Sequence, residues 1–138
     1  MDQRMIDEIA IRDVIARIHM TRSLGKLEDY ARHFTPDAKW ERLPGPDGSP
    51  RVQGFEEEMA HGRENVASGK SGPGSHSHHV IPMTVVDVDG DTAHATSQQI
   101  LLNGCDGVPS FWKMWILQDD LVRTPDGWKV RHRRFQKP

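Results

Sequence analysis

The sequence predicts an α+β domain in which a curved, mainly antiparallel sheet wraps around N-terminal helices. Three observations carry that reading. Helical periodicity is confined to the first half of the chain, four strand-like segments follow in the second half, and their connections are too short for anything but antiparallel neighbours. With 138 residues the chain has room for one domain, residues 1–138. Its 36% hydrophobic content supplies a continuous core.

The elements follow in order. Ile11, Val14, Ile15 and Ile18 recur at i, i+3, i+4, i+7 and line one helix face, with Arg12, Asp13 and Arg17 off that stripe. This helix is expected from about Asp2 to Leu24, with Gly25 ending it through the left-handed conformation. Leu27, Tyr30, Ala31 and Phe34 make a second, shorter helix that Pro36 stops. Lys39 to Leu43 reads as a short strand, Pro44 to Pro50 as a loop, and Phe55 to Val66 as a third helix. After a flexible run from Ser68 to Ser75, strands are expected over about His76–Val88, Thr92–Asn103, Ser110–Arg123 and Trp128–Gln136. Asp89-Gly90 and Thr124-Pro125-Asp126-Gly127 are tight hairpin signals, and Asn103 to Pro109 is a longer turn.

Composition narrows the function. Eighteen basic against 20 acidic side chains give a formal charge of -2, with no broad attraction for nucleic acid or anionic lipid. No apolar stretch approaches the roughly 20 residues that span a bilayer, so no membrane role is expected. The lone Cys105 cannot form an intrachain disulfide, and the charged start Met1-Asp2-Gln3-Arg4 lacks the apolar run of a secretion signal. A cytoplasmic location is the expectation.

Several strings, in this order and spacing, resemble the SnoaL-like branch of the nuclear transport factor 2-like superfamily. They are Ile11-Arg12-Asp13-Val14, then Leu27 through Phe34-Thr35-Pro36-Asp37-Ala38 with Trp40, and Gly54-Phe55. Asp89-Gly90-Asp91-Thr92-Ala93 and Asp126-Gly127-Trp128-Lys129-Val130 complete the set. The resemblance spans nearly the whole chain and implies a cone-shaped α+β barrel. It also implies chemistry drawn from polyketide cyclases, dehydratases, isomerases and related lyases, or ligand binding without catalysis. Dehydratase-like members pair a histidine at the start of the first long strand with an aspartate near the end of the first helix, helped by a helix tyrosine and a last-strand arginine. By that resemblance His79 takes the histidine position and Arg133 the arginine position. The aspartate position falls on Ser23 and the tyrosine position on Ile18, so half of the usual set is replaced.

The residue chemistry bears on each assignment. A histidine moves protons near neutral pH when a partner on its second nitrogen fixes the tautomer; Ser23 can orient the ring of His79 but cannot stabilise its cation as a carboxylate would. The guanidinium of Arg133 would suit a developing anion. Strict alternation, however, puts His132 rather than Arg133 on the side of Trp128 and Val130, so Arg133 needs a bulge to face inward, and His132 stands as its replacement. His76 and His78 share a strand face, but Val80 to Val88 offers no glutamate to complete a cupin-like set, so no metal and no cofactor is expected.

Trp112, Met114 and Ile116 share one parity, while Phe111, Lys113, Trp115 and Leu117 share the other. One set would stack on a ligand and the other would meet a second subunit, which makes a homodimer or higher oligomer the expectation. With Ile18, His19, Met83, Trp112, Met114, Trp115 and His132 as substrate contacts, the sequence reads as a cofactor-free lyase or isomerase. Its substrate would be a hydrophobic cyclic or aromatic oxygenated molecule. The alternative is a non-catalytic small-molecule-binding protein of the same fold.

Overall fold

Helix α1 (Gln3–Ser23) of the computed structural model starts where the carboxylate of Asp2 accepts the Met5 amide at 2.9 Å, an N-cap that satisfies one of the helix's free donors. It ends in a Schellman motif. The Lys26 amide reaches back to the Thr21 carbonyl at 2.9 Å and the Gly25 amide to that of Arg22 at 3.2 Å, with Gly25 at φ 72°. Ile11, Ile15 and Ile18 are buried along its length, as their spacing predicts. The structure describes residues 1–43 and 48–138, so Pro44–Asp47 of the expected loop lie outside the described residues.

After α1 come α2 (Leu27–Ala31), β1 (Phe34–Leu43), β2 (Arg51–Gln53) and α3 (Phe55–Ala67). The rest is strand: β3 (His78–Val80), β4 (Thr84–Asp89), β5 (Thr92–Asn103), β6 (Ser110–Thr124) and β7 (Gly127–Gln136). The strands form one curved sheet in the order β2-β1-β7-β6-β5-β3, with β4 also on β5. All pairs are antiparallel except β1 with β7. The sheet is therefore mixed and does not close into a barrel. Its concave side is covered by α1, which packs on β3, β4 and β7, and by α3, which packs on β1.

Three local differences from the expected elements have physical causes. Helix α2 stops at Ala31 and β1 starts at Phe34, because the register of β1 against β7 shifts between Phe34 and Lys39, and that irregular stretch tolerates Pro36, which has no amide to give. The expected strand from His76 to Val88 is two strands, β3 and β4, separated by Ile81-Pro82-Met83. His76 has φ 55° and lies before β3, so it does not share a strand face with His78. Among the described residues, no group of three or more His, Cys, Asp or Glu is arranged to hold a metal ion.

A buried ion pair fastens the far end of α1 to the sheet. The Asp7 carboxylate, 3% exposed, receives both terminal nitrogens of Arg123 at 2.8 and 2.7 Å and the Trp128 indole N–H at 3.3 Å. The Arg123 hydrogen bonds hold its pKa well below the usual carboxylate range against the opposing effect of burial. Because the folded value lies below the unfolded one, the stability contributed is complete above about pH 4 and is lost as pH falls through the folded value. Asp7→Asn should lower the melting temperature at neutral pH. In melts across a pH series, the gap to the parent protein should narrow below about pH 4; a gap independent of pH would show that the charge is not what stabilises.

Candidate functional site

Inward-facing positions on β5, β6 and β7 and the facing sides of α1 and α3 enclose a cavity of about 420 Å³. Ser23, the last residue of α1, is buried against its edge. Its Oγ accepts the backbone N–H of His79 at 3.0 Å and lies 3.1 Å from Nδ1 of the same residue. One hydroxyl therefore fixes both the backbone and the ring of His79. Burial, then the positive charges of Arg22 and Arg133, hold the His79 pKa at about 4. At neutral pH the ring is uncharged, and each tautomer has a use. With the proton on Nδ1, the ring donates to Ser23 and leaves Nε2 a basic lone pair; with the Ser23 hydroxyl donating to Nδ1, Nε2 carries a transferable proton.

Arg133 faces inward. The pairing of β6 with β7 slips between Asp120 and Leu121, leaving Arg131 as the extra residue of a bulge, and beyond it the alternation is reversed. Arg133 is 2% exposed and donates from Nε and Nη2 to the fully buried carboxylate of Asp119 at 2.7 and 2.9 Å. Burial alone would lower its pKa, but Asp119 raises it. Most of its fork is thus taken by a structural partner. The same bulge sends His132 to the outer face, where Nε2 meets Glu41 at 3.0 Å, so His132 is not a cavity residue.

The other expected contacts divide in the same way. Ile18, His19, Trp112 and Trp115 line the cavity. A register slip between Leu101 and Leu102 leaves Trp112 unpaired on β6, which brings it to the rim beside Lys113 and Trp115 although its parity is opposite. Met114, on normal alternation, stays off the cavity. Met83 is 57% exposed in the bend between β3 and β4 and is also outside it.

His19 is 4% exposed; Nδ1 donates to the Ile15 carbonyl at 2.9 Å, while Nε2 is buried without a partner. Burial first, then the charge of Arg133, push its pKa well below the ordinary value and keep the ring neutral.

Three cavity residues were not legible as such. Tyr30, on α2, lines the cavity: its hydroxyl accepts the Trp40 indole N–H at 3.2 Å and donates to Glu58 Oε1 at 3.5 Å. Burial and the nearby Glu58 push its pKa up to about 12, so it remains a proton donor. Glu58 is 1% exposed on α3 and pairs with Arg42 at 3.4 Å. Arg22 sits over the Tyr30 ring at 5.4 Å, and its Nη1 fills the space left by the missing side chain of Gly62, where a Cβ would collide with it.

The comparisons follow this geometry. Residues 3–134 match the SnoaL-like domain when the chain is set against known families. None of the curated proteins matches it. Solved structures do. An NTF2-like protein with a cystatin-like fold from Novosphingobium aromaticivorans is 21% identical and superposes with a TM-score of 0.77 over 98% of this chain and 84% of that one. A protein described as a dehydratase candidate of the NTF2-like family, from Streptomyces avermitilis, is 19% identical, with a TM-score of 0.74 over 99% of both chains. One described as an aromatic ring hydroxylase candidate, also from Novosphingobium aromaticivorans, is 23% identical, with a TM-score of 0.75 over 96% of this chain and 90% of that one. Similarity at this level establishes the fold, the α+β cone of NTF2-like proteins.

Proposed function

We propose, proceeding from the premise that this chain belongs to the SnoaL-like domain family, that it is a small acid–base enzyme of the lyase or isomerase type. Its substrate would be a hydrophobic, cyclic or aromatic, oxygenated molecule. The observation that supports this best is the Ser23–His79 pair at the edge of the cavity, with an imidazole that stays uncharged near pH 7 and so keeps a lone pair free to take a proton, though as a weaker base than an ordinary histidine. His79 would take a proton from carbon next to a carbonyl and return it at the leaving or rearranged position. Tyr30 would turn its O–H from Glu58, 3.5 Å away, to an oxygen that gains charge; Arg133, paired with the buried Asp119, would hold its place in the wall without adding net charge. No step in this scheme needs a cofactor.

One observation favours a second reading, a pocket that binds the same class of molecule without converting it. The second nitrogen of His79 meets a hydroxyl and not a carboxylate, so the protonated ring would lack a counter-charge next to it. The two readings separate in one experiment. Cyclic β-hydroxyketones are incubated with the protein in D2O, and the proton next to the carbonyl is followed by NMR. Exchange or loss of water that depends on His79 supports the enzyme, whereas a compound that binds but neither exchanges nor eliminates supports the binding protein.

The pH profile is a further expected result. Because His79 has a pKa of about 4, kcat/KM should hold steady as pH falls through the range where an ordinary histidine, with a pKa of about 6.5, becomes charged. Its acid limb should appear only near pH 4. A limb near 6.5 would mean that the working base is a solvated group.

A further inference from the structure

We propose that the molecule bound in this cavity is an anion, a ring-bearing carboxylate whose charged group is held by Arg22 and Lys113 while its ring lies against Trp112 and Trp115. The inference deepens the acid–base reading and rests on the same cavity.

Its starting point is a contrast of charge. The whole chain carries a formal -2. The cavity is lined by six cations, Arg22, Arg42, Arg51, Lys70, Lys113 and Arg133, against one carboxylate, Glu58. Two of these cations are neutralised inside the protein: Arg133 by Asp119, and Arg42 by Glu58 with Gln53 as a further acceptor at 2.8 Å. Among the described residues, Arg22 and Lys113 have no such partner. Nη1 of Arg22 is buried against Gly62 with no hydrogen-bond partner among the described residues, so no acceptor there offsets its charge. The ammonium of Lys113 lies 4.3 Å from the Trp112 ring centroid and 5.6 Å from that of Trp115, and no carboxylate among the described residues pairs with it. Burial, then the charge of Arg42, lower its pKa. A half-buried cation resting on aromatic faces is incompletely satisfied.

A ligand carboxylate gives the Lys113 ammonium the acceptor it lacks, and the charge of Arg22, which also lines the cavity, adds to its hold. Both cations also sit close enough to His79 to act on its charge, so the anionic group would be anchored within reach of the base. The exposed Arg51 and Lys70 extend the positive field outward and would draw the anion in.

The test compares 1-naphthoate with its neutral isostere 1-naphthamide by calorimetry on the full chain at neutral pH. The acid should bind about tenfold or more tightly, the scale of one charge-assisted hydrogen bond. Lys113→Gln and Arg22→Gln should each remove most of that preference, read as the ratio of acid to amide affinity within each variant. If Arg22→Gln fails to fold, Lys113→Gln and a salt titration, in which only the acid weakens, still decide the matter. Equal or tighter binding of the amide, an acid preference that survives Lys113→Gln, or no binding of either compound at millimolar concentration overturns the inference. Failure here is distinguishable from failure of the acid–base reading. Acid preference without turnover of any compound removes the enzyme and keeps the anion site, while His79-dependent turnover confined to neutral compounds does the reverse.

Discussion

His79→Ala should keep the fold and lower turnover by about 10²-fold or more, the usual contribution of a positioned proton-transfer group. The cavity walls are made by other side chains, so the loss should fall on kcat with little change in binding. His78→Ala should cost much less, since that side chain is exposed at the start of β3 and no side-chain hydrogen bond among the described residues holds its ring. Ser23→Ala should fall between them. It removes the group that orients the imidazole and accepts the His79 amide, but it removes no charge. Circular dichroism and single-turnover assays on the three variants check the order, and equal turnover by His79→Ala and the parent protein would remove His79 from the mechanism.

Arg133→Met should be the most destabilising single replacement among the cavity residues. The Asp119 carboxylate is 0% exposed and has Arg133 as its only hydrogen-bond partner among the described residues. Removing the guanidinium leaves an uncompensated buried charge, a change that costs about 3 to 5 kcal/mol. Urea denaturation measures it. The double variant Arg133→Met with Asp119→Leu should recover most of the loss, because an apolar pair of similar volume buries no charge. If the single variant costs less than about 1 kcal/mol, as exposed ion pairs do, the pair is hydrated and Arg133 is freer to meet a ligand than its geometry indicates.

The parts of the molecule legible in the sequence are those set by local pattern. The isoleucine stripe and the glycine at position 25 place α1 to within a residue at each end. Alternation and hairpin turns place β5, β6 and β7 nearly as well. What escaped depends on pairing between distant segments. The bulge at Arg131 exists because β6 and β7 slip against each other; the sequence reading could state that Arg133 needed one, yet the local string could not show that it was there. The slip opposite Trp112 has the same character. Tyr30 and Glu58 belong to helices separated by β1 and β2, and they meet only when α3 packs on the concave side. The resemblance put the tyrosine position on Ile18, while the phenol that lines the cavity is Tyr30 of the next helix. His132 and Met114 were placed inward by parity or aromatic grouping, and the observed registers turn both outward.

The Schellman end of α1 has a consequence for motion. Ser23 belongs to the final turn, the part of a helix that ordinarily frays, yet here that turn is locked by two backbone bonds across Gly25. Gly25 in turn lies against the segment that precedes β3: a Cβ at this position would stand 3.0 Å from Pro73 Cδ and 3.3 Å from the Gly72 Cα. The segment that leads into β3 and His79 and the helix end that carries Ser23 are thereby braced against one another some way from the histidine. Amide exchange at Gly25 and Lys26 should then follow the opening of the Ser23–His79 contact, so that a hydrogen-exchange measurement at two backbone sites reports whether the site is assembled, with no ligand and no assay. Gly25→Ala, forced into a left-handed conformation and against Pro73, would speed that exchange and loosen the pair without touching a single side chain of the cavity.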